Sequence, residues 1–133
     1  MIAGVADTHA ALWYLFGDPR LSASAKAAFD SAATSRRKIV LSVISLAEVV
    51  YLVEKNRLPP TAYTDLQTAL RDPDHVLQEA PVTAEIIDAM LEVPRADIPD
   101  MPDRIVAATA VYFSVPTISR DGRIRTSGVQ TVW

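Results

Sequence analysis

Five acidic residues stand where their chemistry could be used. Asp7 closes a short apolar run, Ile2 to Ala6, and opens a helical segment. Glu48 lies within Ile44 to Val53, a segment otherwise apolar except for Ser45. A carboxylate there is expected to be partly buried, and because burial of an unpaired charge is costly or shifts its pKa, a partner cation is expected. The nearest lysine, Lys55, is about two helical turns away. Asp100 and Asp103 flank the start of a helix that opens at Pro102, and Asp121 follows the apolar run Pro116 to Ser119. Each has an ordinary alternative. Asp7 is a suitable helix N-cap, Asp100 and Asp103 suit a helix dipole, and Asp121 before Gly122 suits a turn.

Their common placement is what suggests a site. Asp7, Glu48, Asp103 and Asp121 fall at one end of an expected parallel sheet. Together they would place about −4 of charge in one crevice, which like-charge repulsion disfavours. Bound divalent cations remove the repulsion, and an all-oxygen donor set suits Mg²⁺ or Mn²⁺. Such sites activate water and steady phosphoryl oxygens. The spacings of 41, 55 and 18 residues are no metal signature in themselves.

These acids must be positioned by alternating strands and helices. Strands are expected at Ile2 to Ala6, Lys38 to Ser42, Val76 to Ala80, Pro116 to Ser119 and Val129 to Trp133. Helices are expected at Thr8 to Phe16, from Ser22 or Ser24 through Ala33, at Ser45 to Asn56, and from Thr61 to about Arg71. Two more follow, at Thr83 to Val93 and from Pro102 to about Ser114. Ile86, Ile87, Met90 and Leu91 are expected to share one face. Apolar strands separated by helices indicate an α/β fold with a central parallel sheet covered on both faces. Ligands in such sheets bind beyond the carboxyl ends of the strands.

Length and composition bound the alternatives. A chain of 133 residues suggests a single domain, spanning 1–133. It has no cysteine, which removes disulfide scaffolds, thiol catalysis and Cys-based zinc sites. Two histidines are too few for a typical zinc centre, and four glycines build no phosphate loop or dinucleotide fingerprint. No apolar run approaches the ~18 residues of a membrane span, and no basic secretory segment opens the chain. A cytoplasmic protein without a membrane partner is expected. The net charge of −3 argues against gripping nucleic acid by bulk charge.

The residues around these acids resemble the PIN-domain ribonucleases, specifically the VapC-type toxins of type II toxin–antitoxin pairs. Asp7-Thr8-His9-Ala10-Ala11-Leu12-Trp13 is similar to that family's first motif, and Ser42-Val43-Ile44-Ser45-Leu46-Ala47-Glu48 to its second. The run from Pro99 to Ala110 resembles the third, and Ser119-Arg120-Asp121-Gly122-Arg123-Ile124 the fourth. The ending Val129 to Trp133 also has the family's look. Ser119 stands where the family often has threonine, with the hydroxyl retained.

The resemblance implies a three-layer α/β/α PIN-like fold. It carries Asp7, Glu48, Asp103 and Asp121 over as catalytic, metal-binding acids, with Asp100 as an outer fifth. Thr8, Ser45 and Ser119 would hydrogen-bond the carboxylates or a bound water. The implied activity is Mg²⁺- or Mn²⁺-dependent endoribonuclease action, hydrolysing an RNA phosphodiester by metal-activated water to leave 5′-phosphate and 3′-hydroxyl ends. A cognate VapB-type antitoxin and a homodimer are the implied partners. Arg120, Arg123 and Arg125, beside Asp121, are candidates for contacts with RNA phosphates. Two other readings stay open: an inactive PIN-fold binding module, and a metal-dependent phosphohydrolase. Setting the four acids aside leaves 12 acids against 13 bases, a balance of +1. The acidic excess is then the property of one pocket.

Overall fold

A computed structural model describes residues 1–133 except for the side chain of Thr126. Five parallel strands form its sheet: β1 (Ile2–Ala6), β2 (Lys38–Ser42), β3 (Leu77–Ala80), β4 (Thr117–Ile118) and β5 (Thr131–Val132). Their order is β3-β2-β1-β4-β5. The chain first builds outward from β1 through β2 to β3, then returns to add β4 on β1's other edge. This reversal opens a crevice beside the carboxyl ends of β1 and β4, where ligands bind in open α/β sheets.

Alternation along the strands buries both faces of the sheet. Ala6, Ile39 and Leu41 face one layer, where they pack with Phe29, Val49 and Leu66. Val5 and Val40 face the other, against Val106 and Ala110. The first layer takes α1 (Thr8–Phe16), α2 (Ala23–Thr34), α4 (Pro60–Arg71) and much of α3 (Val43–Glu54). The second takes α5 (Ala84–Ala89) and α6 (Met101–Phe113), which pack through Ile86, Ala107 and Ala108. The α/β/α arrangement expected from the alternation is therefore present. Gly4 suits β1 because a Cβ there would sit 3.3 Å from the Pro116 carbonyl oxygen, a tight approach to backbone.

Local signals set the helix ends. Asp7, Ser22, Ser42 and Thr83 each accept a hydrogen bond from the first turn of the helix they precede. Gly17 ends α1 in the left-handed conformation at φ 63°, and the Asp18 N–H then returns to the Trp13 carbonyl at 2.8 Å. That return folds the following residues back over Trp13.

Three expectations need correction. The helix expected from Ser45 starts at Val43, because Ser42 serves both as the end of β2 and as the cap. The helix expected from Thr83 to Val93 is α-helical only to Ala89, and a 3₁₀ turn over Met90–Glu92 ends it. Ile86 is buried, whereas Ile87 is 45% and Leu91 84% exposed, so the four residues do not share one buried face. Finally, a five-residue helix, α7 (Gly122–Thr126), follows β4 where only a turn was expected.

Candidate active site

Four elements deliver one acid each to a single cavity of about 380 Å³. Asp7 leaves β1 as the N-cap of α1, and Glu48 lies in the second turn of α3. Asp103 occupies the first turn of α6, and Asp121 caps α7 just beyond β4. Thr8, His9 and Trp13 of α1 add to the wall, as do Arg20 and Arg120.

Hydroxyls hold two of these acids in place. Ser119 donates to Asp7 Oδ2 through a short hydrogen bond, while the Ala10 N–H donates to Oδ1 at 2.8 Å. The same Ser119 hydroxyl accepts the Asp121 N–H at 2.9 Å, so one side chain ties the ends of β1 and β4 together. Thr8 donates to Glu48 Oε1 at 2.6 Å. Among the described residues this hydroxyl, and no Lys or Arg ion pair, meets the Glu48 carboxylate. Glu48 stays half-buried at the cavity wall and so retains water on one side.

The charges in this cavity oppose one another. Burial pushes the Asp7 carboxyl above its ordinary range, and the Ser119 and Ala10 hydrogen bonds and His9 pull against it. Asp103 is pushed up to about 7, first by burial, then by Asp121 and Asp100, with a hydrogen bond to Asp121 and the charge of Glu48 adding to the effect. The neighbouring carboxylates thus disfavour the ionised form of Asp103, because like charges this close resist one another. The ion pairs among the described residues are Arg20–Asp18 and Lys26–Asp30, and neither involves the four acids.

The donor set fits a hard divalent cation. Every acid offers carboxylate oxygen, the ligand that Mg²⁺ and Mn²⁺ favour, and a cation would relieve the repulsion at Asp103. Among the described residues no three His, Asp or Glu side chains stand close enough to ligate one ion directly. The cavity is an open mouth lined by these acids.

Other expected site residues fall elsewhere. Asp100 is exposed and caps α6, accepting the Asp103 N–H at 3.3 Å, and it does not line the cavity. Ser45 is wholly buried, and its Oγ takes no partner among the described residues. Arg123 and Arg125 are exposed on α7 and do not line the cavity, whereas Arg120 does. Arg20 was missed. Its signal was the Gly17-Asp18-Pro19 helix stop, which turns the chain back toward α1. His9 and Trp13 were read only as parts of a motif or of the core.

A family model described as PIN domain matches residues 5–128. No curated protein matches the chain. Among solved structures, VapBC2 from Rickettsia felis bound to a promoter DNA fragment superposes with a TM-score of 0.71 at 17% identity, over 98% of this chain and 97% of that one. A toxin–antitoxin complex from Klebsiella pneumoniae gives 0.66 at 18% identity, over 98% and 97%. FitAcB from Neisseria gonorrhoeae gives 0.62 at 21% identity, over 98% and 96%. At these identities the likeness is one of fold.

Proposed function

The chain belongs to the PIN-domain family, and on that premise we propose that it is a Mg²⁺- or Mn²⁺-dependent endoribonuclease, the toxin of a VapBC-type toxin–antitoxin pair. The observation that carries this reading is the cavity itself. Four acids from four separate elements line it, and the ion pairs among the described residues include none of them. The reading as a toxin draws on the structural neighbours, which include VapBC2 and a toxin–antitoxin complex.

Asp7, Glu48, Asp103 and Asp121 would hold the cation. When bound, it supplies Lewis-acid polarisation of a phosphoryl oxygen and a water acidic enough to act near neutral pH. The chain's own part is positioning and proton handling. Ser119 and Thr8 each use a hydroxyl proton to fix one carboxylate oxygen, leaving lone pairs directed elsewhere. Burial and the charges of Asp121 and Asp100 favour a proton on the Asp103 carboxyl, and a bound cation would favour its ionised form. No side chain needs to become covalently attached to substrate.

The partner surface would be apolar. Phe16 on α1 and Val50 and Tyr51 on α3 are large and exposed, and they would suit an antitoxin segment or a second copy. No helix among the described residues is long and apolar enough to cross a membrane. We read the protein as acting in the cytoplasm, where its RNA substrate is.

Incubation of purified protein with single-stranded RNA, single-stranded DNA and nitrophenyl phosphate, each with Mg²⁺ or EDTA, tests the reading. Metal-dependent cutting of RNA to 5′-phosphate ends is expected. Turnover of nitrophenyl phosphate alone would point to a small-ester phosphohydrolase. One observation favours an alternative, a PIN-fold module that binds without cutting: among the described residues no three acids stand ready to ligate one ion. Such a module would show no cleavage at any Mg²⁺ or Mn²⁺ concentration.

A further inference from the structure

The cavity wall is not uniformly acidic. Arg20 and Arg120 also line it, and both guanidinium groups rest on the ring of Trp13, with Cζ at 4.9 Å and 4.7 Å from the ring centroid. Trp13 is only 6% exposed, so it is a fixed base for both. His9 and Trp133 pack against the same ring at 5.7 Å and 5.9 Å. Arg20 is further held by Asp18, through Nη2 at 2.7 Å and Nε at 3.1 Å. Neither arginine makes an ion pair with the cavity's own acids among the described residues.

Attraction would draw flexible cations onto unpaired carboxylates. Here stacking on an aromatic ring restrains two arginines beside the acids, with donor groups left for a ligand. A ligand suited to both parts of the wall carries one group that shares a cation with the acids and a second anionic group nearby. A nucleic-acid strand has this form, since its phosphates follow one another at single-nucleotide steps. We propose that Arg20 and Arg120, seated on Trp13, form a phosphate-binding arm for the nucleotide next to the scissile bond. This rests on the nuclease reading and adds to it where the strand lies. Planar guanidinium groups are suited to bidentate contact with phosphate.

The test measures binding separately from cutting. The affinity of a 5′-labelled single-stranded RNA is followed by anisotropy and by tryptophan emission, with Mg²⁺ present, in the Asp7→Asn protein. Arg20→Ala and Arg120→Ala should each weaken binding roughly tenfold and flatten the dependence of log Kd on log salt by about 0.7. The corresponding Lys variants should recover part of the affinity. Asp18→Asn removes the anchor but keeps the Arg20 charge, and it should bind at least as well as its parent. If Arg20 only braces its loop, Asp18→Asn will weaken binding as much as Arg20→Ala, and the arm is overturned. It is also overturned if both alanine variants keep the parent affinity and salt slope, or if no RNA binds. Cutting by otherwise wild-type Arg20→Ala and Arg120→Ala proteins, with KM unchanged, would overturn the arm and leave the nuclease reading standing. The predicted losses of binding in a protein that cuts no RNA would instead overturn that reading alone.

Discussion

Asp7 and Glu48 are each useful because a hydroxyl decides which way the carboxylate points. Thr8→Val and Ser119→Ala remove that direction without touching a proposed ligand. Cleavage is expected to fall roughly 10- to 100-fold in each, with the circular dichroism spectrum unchanged. Asp103 makes a separate prediction. Its folded pKa of about 7 lies above the ordinary 3.8, so the folded state binds a proton more tightly than the unfolded chain does. In cation-free buffer that linkage makes stability fall as pH rises from about 4 to about 7. Asp103→Asn should therefore melt above wild type at pH 8, by a few degrees after allowance for solvent screening, and the difference should vanish toward pH 4. Saturating Mg²⁺ should raise the wild-type melting temperature and close the gap. The acids themselves were legible in the sequence, because a carboxylate after a buried strand or inside an apolar helix is conspicuous. Their hydrogen-bond partners were legible only through family resemblance. The hydroxyl that meets Glu48 comes from Thr8, one helix away, and no local spacing shows that.

At the level of the elements, α6 must present Asp103 at a fixed angle, and Arg104 helps to set it. Its Nε donates to the Val93 carbonyl at 2.7 Å and its Nη2 to the Met90 carbonyl at 2.9 Å. The start of α6 is thereby clipped to the 3₁₀ turn that ends α5. Arg104→Ala should cost about 1–3 kcal/mol in denaturant unfolding, since it leaves two half-buried carbonyls without their charged donor. It should also lower activity through Asp103 more than the stability loss alone explains. The longer helix expected through Val93 rested on the periodicity of Ile86, Ile87, Met90 and Leu91. Pro94 and the long-range pull of Arg104 on two carbonyls overrode it. The helix α7 escaped notice because five residues hold too little periodicity to read. Caps and breakers such as Ser22, Thr83, Gly17 and Pro102 were legible, because their effect is local.

For the whole molecule, the parallel α/β character was legible from buried strands alternating with helices. The strand order was not, because the pairing of β1 with β4 joins residues more than 100 positions apart along the chain. That order creates the crevice, and the acids gain their meaning from it. The core that fixes the order is centred on residues such as Phe29, which is fully buried and stacked on Tyr14 at 4.2 Å. Phe29→Ala should cost roughly 3–5 kcal/mol in an unfolding titration, with the surviving folded fraction still competent to bind RNA. The charge of −3 is likewise a property of the whole that one pocket explains, because four acids concentrated there leave the rest of the molecule at +1. The central claim is that these four acids act together as one metal-dependent nuclease site. Its most direct test is the rate at which purified wild-type and Asp7→Asn proteins, both folded by circular dichroism, cut a single-stranded RNA with Mg²⁺ present. Cleavage by the wild type and none by Asp7→Asn is predicted. Cleavage by Asp7→Asn at the wild-type rate would contradict the account.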